Sequence, residues 1–301
     1  MTMLGRLHAV LFAPAPALRL ATVRALVGAY CCVYLVVRAP VLADFRNFDP
    51  ARFEPIGLCS WLPQPLPGLV TLGLFALCLG LAVAFTVGFR FRICGPAFGL
   101  LFMWVTSYRN SWAMVFHNEN LVALHALYLG FLPAAAETLS GRSQRAPPQD
   151  AGHFGFPLKV LSAITVVTYM LAGIAKLKVS GGAWMEGNIL RNYIAYDAVR
   201  KIQVGSVYSP LGAWLVQFGW PFPIIGWATM VIELGAPAAL MGRRLAALWT
   251  ISALAFHWGV LAIMAIAFPY PLSGVAFASL LPAERLWRLK PLSRWGPQSQ
   301  P

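Results

Sequence analysis

The stretch YMLAGIAKLKVSGGAWMEGN, Tyr169 to Asn188, ends an apolar run that begins near Leu158 on Lys176, then passes through a glycine pair to Trp184 and Glu186. A lysine acts as a base only where burial among apolar groups or a neighbouring cation keeps its amine neutral. A lysine at the end of a membrane span also serves as an anchor, its stem in lipid and its ammonium among headgroups. Residue types alone leave both readings open for Lys176, with Lys178 as its equal. Two further ionisable groups lie mid-run, Glu233 in MVIELGAP and His257 in LAFHWGVL. Glu233 has no charged neighbour within a helical turn, so it needs a partner on another helix or a proton. His257 is either a proton carrier or a hydrogen-bonded packing residue. In YRNSWAMVFHNENLVALH, Arg109, Asn110, His117, Asn118, Glu119 and Asn120 crowd the junction of two runs, and His125, one turn deeper, reads as packing.

Other chemistries lack their residues. The five histidines form no HxxxH or HExxH, so no metal site is expected, and no phosphate-binding glycine loop or serine elbow occurs. The five cysteines form no CxxC, and the vicinal Cys31 and Cys32 point to different sides of a helix, as packing residues would.

The elements that must position these groups follow from composition. The 301 residues are 59% hydrophobic and 11% charged, which sets the chain in the lipid bilayer. The net charge of +13 sits in short clusters between apolar runs rather than on a basic helix, so no nucleic-acid partner is expected. Apolar runs fall near 20–40, 68–88, 93–108, 117–136, 157–177, 221–241 and 245–267, with a short eighth at 271–283. The predicted fold is an all-α polytopic bundle of 7–8 transmembrane helices, with an interfacial or re-entrant segment after the fifth.

Alternate connections carry Arg6, Arg19 and Arg24; Arg90 and Arg92; Arg142, Arg145 and Lys159; Arg243 and Arg244; and Arg285, Arg288, Lys290 and Arg294. The positive-inside rule then places both termini in the cytoplasm of a multi-pass plasma-membrane protein, with Lys176 at the outer face. Residues 1–19, with a short apolar core interrupted by Pro14 and Pro16, read as an interfacial segment rather than a cleaved signal. The transmembrane domain covers 20–283, with a polar cytoplasmic loop at 137–156 and a Trp- and Tyr-rich outer segment at 178–220, and 284–301 is a basic tail.

Several motifs in this order resemble one family. GIAKL followed by AWMEG resembles the lysine motif in the membrane region of vitamin K-dependent gamma-carboxylases and of the related horizontally transferred transmembrane (HTTM) domain proteins. VIELGAPAAL resembles the family's acidic residue in the next span, LAFHWGVLAIMAIAFPY its FH-containing segment, and SWAMVFHNENLVALHALYLGFLP its Trp-Asn-rich span entry. The resemblance runs from about Arg19 to Leu281. It implies that Lys176 is the base that deprotonates a quinol such as reduced menaquinone or vitamin K hydroquinone, with Glu233 and His257 positioning or relaying protons. It also implies that His117, Asn118, Glu119, Trp184 and Glu186 contact substrate.

There are departures from the family pattern. Ala175 stands where the carboxylases have a first lysine, and His117 and Glu119 compete for the position of their earlier histidine. The sequence, ending at residue 301, has no extramembrane part to bind propeptide and present glutamates, so an ordinary carboxylase is not expected. The first functional expectation is lysine-base chemistry on a lipid-soluble quinol. The alternative is an accessory role in maturation, export or immunity of a secreted peptide, as the resemblance to sporulation-delaying toxin systems implies. Transport ranks last, since no inverted repeat is visible.

Overall fold

A computed structural model describes residue 5 and residues 11–112, 115, 117–136 and 152–288. Residues 1–4 and 6–10 of the expected N-terminal segment, the polar loop up to residue 151 and the tail beyond residue 288 lie outside the described residues. Every regular element among the described residues is helical.

Four helical segments are long and apolar enough to cross a membrane: Ala17–Asn47, Gly68–Val87, Gly152–Trp184 and Arg243–Met264. They correspond to α1 (Ala17–Asp44), α2 (Gly68–Val87), α5 (Gly152–Ser180) and α9 (Arg243–Met264), two of them extended by a 3-10 turn. The shortest of the four has 20 residues, which at 1.5 Å per residue spans about 30 Å of hydrocarbon. The run at 93–108 forms α3, Phe91–Asn110, which is long enough but carries Arg92 and Arg109 near its ends. The runs at 117–136 and 221–241 form shorter helices, α4 (Asn120–Gly130) and α8 (Pro221–Leu234). The eighth run forms only α10 (Pro269–Leu272) and a 3-10 turn at Val275–Leu280. Pro269 and Pro271 supply no backbone N–H there, and Gly274 takes a φ of 76°, so a long helix cannot propagate.

Two compact units divide the chain: Met1–Leu161 with Pro282–Pro301, and Ser162–Leu281. In the first, α2 is apolar on all sides, as a lipid-facing helix must be. Helices α3 and α4 meet at Gly95 and Gly130, where a Cβ on Gly95 would lie 2.7 Å from the Gly130 carbonyl oxygen. Only glycine permits that approach, which is how helices pack without a hydrophobic driving force between them. Arg24 on α1 is fully buried. It donates to the carbonyl oxygens of Ala135 at 2.7 Å and Thr86 at 3.4 Å, and its guanidinium lies 5.4 Å from the Phe91 ring centroid. Its charge thereby meets the partial negative charge at the C-terminal end of α2. Arg19 grips Glu284 through two hydrogen bonds of 2.7 Å, and Trp287 donates to Thr22, so the segment after Pro282 is fastened to α1.

The second unit contains the rest of α5, then α6 (Asn188–Gln203), α7 (Pro210–Leu215), α8, α9 and α10. Leu190, Ile194 and Phe222 form a buried cluster with Trp184 and Leu215 against it, which holds the Trp- and Tyr-rich 178–220 segment to α8. The same segment closes the open C-terminal end of α9. Lys201 donates to the Met264 carbonyl at 2.5 Å and Ser209 to the Ala262 carbonyl at 2.5 Å, supplying donors to carbonyls that have no partner within the helix. Asp197 pairs with Lys201 and Arg200 at 2.7 and 2.9 Å. Burial alone would raise the Asp197 carboxyl, but hydrogen bonds and charge from Lys201 and Arg200 together hold it below the usual carboxylate value. Tyr193, Tyr196, Trp214 and Trp220 project outward from this segment, the amphipathic rings that favour a membrane interface.

Candidate functional site

Lys176 stands near the C-terminal end of α5 and donates a hydrogen bond to Glu233 Oε1, next to the last residue of α8. The side chains are 23% and 3% exposed, so the lysine reaches the surface of the protein and the glutamate does not. Burial of the acid makes the pairing obligatory, because an uncompensated carboxylate in this setting has neither solvent nor a second cation. The close approach of α5 and α8 depends on Gly173, one turn before Lys176. A Cβ there would stand 3.0 Å from Glu233 Cβ and 2.9 Å from the Leu234 side chain.

Trp184 lies at the same site. Its ring centroid is 5.3 Å from Lys176 Nζ, a cation–π contact, and its Nε1 donates to Thr229 Oγ1 at 3.1 Å. Thr229 in turn donates to the Gly226 carbonyl one turn back on α8, so the indole is fixed at its polar edge. Lys176, Glu233 and Trp184 therefore form one cluster. Glu233 Oε2 is buried and has no hydrogen-bond partner.

Two turns earlier on the same face of α5, Tyr169 Oη meets His257 Nε2 of α9 at 2.6 Å. The tautomer of the imidazole decides which atom carries the shared proton. The Tyr169 ring packs edge-on against Trp249 at 5.0 Å, and Trp249 Nε1 donates to the Ile232 carbonyl beside Glu233, which ties α9 to α8. His257 Nδ1 is buried without a hydrogen-bond partner. His257 and Lys176 lie within electrostatic reach of each other, as do Tyr169 and Glu233. The arrangement brings four titratable groups, two of them with an unused lone pair or proton site, into the interior of one unit.

Of the remaining candidates, Glu186 is exposed after the 3-10 turn at Gly181–Trp184. His117, Asn118 and Glu119 belong to the first unit. There Glu119 is buried against Arg109, with an N–O separation of 2.9 Å, Asn118 is half-buried and His117 exposed. Tyr169, Thr229, Trp249 and Gly173 were not singled out by residue type. The one signal pointing to Tyr169 is its spacing of seven from Lys176, which puts both on one helical face.

A ligand at this cluster has to suit its unused groups. Glu233 Oε2 accepts a hydrogen bond from an O–H or N–H donor, and the Trp184 indole offers an apolar wall. Comparison with curated proteins and with solved structures finds no match. The family model of the HTTM domain matches residues 12–280, which takes in α1 to α10 and every residue of the Lys176 cluster. The chain belongs to the HTTM domain family.

Proposed function

We propose that this chain is a membrane-embedded enzyme in which Lys176 removes a proton from a lipid-soluble, hydroxyl-bearing ring of the reduced-quinone class. The observation that carries the reading is the Lys176–Glu233 pair, buried on the acid side and reaching the protein surface on the lysine side. Moving one proton along the hydrogen bond converts the ion pair into a neutral amine and a carboxylic acid, and desolvation opposes the charge of the more deeply buried carboxylate most. The amine then takes the ring hydroxyl's proton: the O–H bond breaks, an N–H bond forms, and the oxyanion remains opposite the ammonium. Trp184 orients the ring, and Glu233 holds the lysine in place between turnovers.

The orientation belongs to the same proposal. The short helices α4 and α8 complete crossings together with the turns that flank them, giving seven or eight passages, with both termini cytoplasmic and Lys176 facing outward. The test is turnover in membranes containing the protein, supplied with reduced menaquinone or vitamin K hydroquinone and oxygen and analysed for the epoxide. Wild-type membranes are expected to form epoxide and Lys176→Ala membranes not. Equal yields from the two would end the base reading.

A further inference from the structure

One face of α5 carries hydrogen-bonding side chains along its membrane-crossing length. Ser162, Thr165, Tyr169 and Lys176 follow at intervals of three, four and seven residues, the spacing that stacks side chains on one stripe, and Gly173 occupies the remaining place. From Ser162 to Lys176 the stripe rises about 21 Å at 1.5 Å per residue, most of the hydrocarbon thickness. Every member meets a polar partner within the same unit. Ser162 donates to Ser279 at 3.1 Å and Thr165 to the Ala276 carbonyl at 3.1 Å; Tyr169 meets His257, and Lys176 meets Glu233. On α9, Thr250 stands two turns from His257 on the same face.

Polar side chains inside a span that serve only as glue between helices find their partners there. The pairs at Ser162 and Thr165 also hold α5 to the turn at Val275–Leu280. Three atoms beside the stripe are not used in this way: Glu233 Oε2, His257 Nδ1 and Thr250 Oγ1 are all buried and have no hydrogen-bond partner. Their residues are 2%, 6% and 3% exposed. Buried polar atoms are satisfied with few exceptions, and three orphans along one interior column are what bridging water would bond. One helical turn, about 5.4 Å, separates Ser162 from Thr165 and Thr165 from Tyr169, and two turns, about 10.5 Å, separate Tyr169 from Lys176, a gap that two water molecules in series span.

We propose that this column conducts protons between the Lys176–Glu233 pair and the Ser162 end of α5, giving the second unit a transmembrane proton route. A proton on Lys176 passes to Glu233 and leaves from Oε2 through water to His257 Nδ1. The imidazolium gives up its Nε2 proton to the Tyr169 oxygen as the phenol's own proton departs toward Thr165, so histidine and tyrosine both end neutral. The Thr165, Ser162 and Ser279 hydroxyls continue the chain, each accepting one proton and releasing one. The titratable groups of the column are Lys176, Glu233, His257 and Tyr169. Asp197 and Lys201 on α6 face the end of α9 and are engaged with each other. The Lys176 end reaches the protein surface through its 23% exposed side chain, and Ser279 at the opposite end is half-buried. The identity of the proton donor at Lys176 rests on the base reading above, whereas the route does not.

The test uses the full chain in phosphatidylcholine and phosphatidylglycerol vesicles that enclose a pH-sensitive dye, with a potassium gradient and valinomycin to drive protons inward. Wild-type vesicles are expected to acidify several-fold faster than protein-free vesicles. Tyr169→Phe, which keeps the ring and removes the relay hydroxyl, is expected to return the rate to that of protein-free vesicles. Thr165→Val, isosteric and away from the ion pair, removes the next hydroxyl of the chain and is expected to slow it several-fold. A wild-type rate equal to that of protein-free vesicles, or undiminished rates in both variants, would overturn the route. No quinol is present, so that outcome leaves the Lys176 base standing. Normal proton flux with no quinol turnover would instead remove the base and leave the route.

Discussion

Replacing Lys176 with methionine and Glu233 with glutamine should have unequal consequences, and the inequality follows from their exposures. Lys176→Met strips the only hydrogen-bond donor among the described residues from a glutamate whose side chain is 3% exposed and whose second oxygen has no partner among them. Leaving one charge of a buried pair uncompensated costs about 3–5 kcal/mol. Glu233→Gln leaves an acceptor for a lysine that is 23% exposed and can extend its ammonium toward water, so the loss is about 1–2 kcal/mol. In detergent, thermal unfolding followed by tryptophan fluorescence reads this at roughly 2–4 °C per kcal/mol, which puts Lys176→Met about 6–12 °C below wild type for a loss near 3 kcal/mol. The double variant should be little worse than Glu233→Gln alone, a coupling of about 3 kcal/mol. If Glu233→Gln is as damaging as Lys176→Met, or the two effects add to within about 0.5 kcal/mol, the pair is not the buried, asymmetric contact described here.

Two further outcomes follow from contacts outside this cluster. Arg24→Leu should destabilise the first unit by about 1–3 kcal/mol, because the carbonyls of Ala135 and Thr86 lose a charged donor where little water reaches; limited proteolysis or thermal melting reads the change. Asp197 has a folded-state pKa below its unfolded value, so its contribution is fully present above about pH 4 and is lost as the pH falls through the folded value. Amide exchange in α6 should therefore accelerate only below about pH 4, and Asp197→Asn should abolish that pH dependence.

The sequence made the ionisable members of the cluster legible and left their partners hidden. Lys176, Glu233 and His257 stand out because charge and imidazole are rare within apolar runs. Their pairing does not, since 57 residues separate Lys176 from Glu233 and 88 separate Tyr169 from His257. Tyr169 sits among apolar residues and looks like one of them, and Gly173 reveals its role only when α8 is laid against it. Hydropathy found the apolar runs, yet runs are not helices. At 271–283 two prolines and a left-handed glycine turn apolar sequence into short turns, and at 117–136 regular helix begins only at Asn120 and ends at Gly130. The Trp and Tyr content of 178–220 was plain in the sequence, and several of those rings are exposed. That Lys201 and Ser209 close the end of α9 was not plain, because both residues look like ordinary surface groups in the sequence.

The central claim is that Lys176 acts as a base and not only as an anchor for Glu233. Lys176→Arg separates the two roles, because arginine keeps a positive charge and hydrogen bonds to the carboxylate but is not deprotonated in proteins. Measured side by side with wild type, the variant should melt within about 1 kcal/mol of it and form no epoxide from the reduced quinone. Turnover retained in Lys176→Arg would contradict the account.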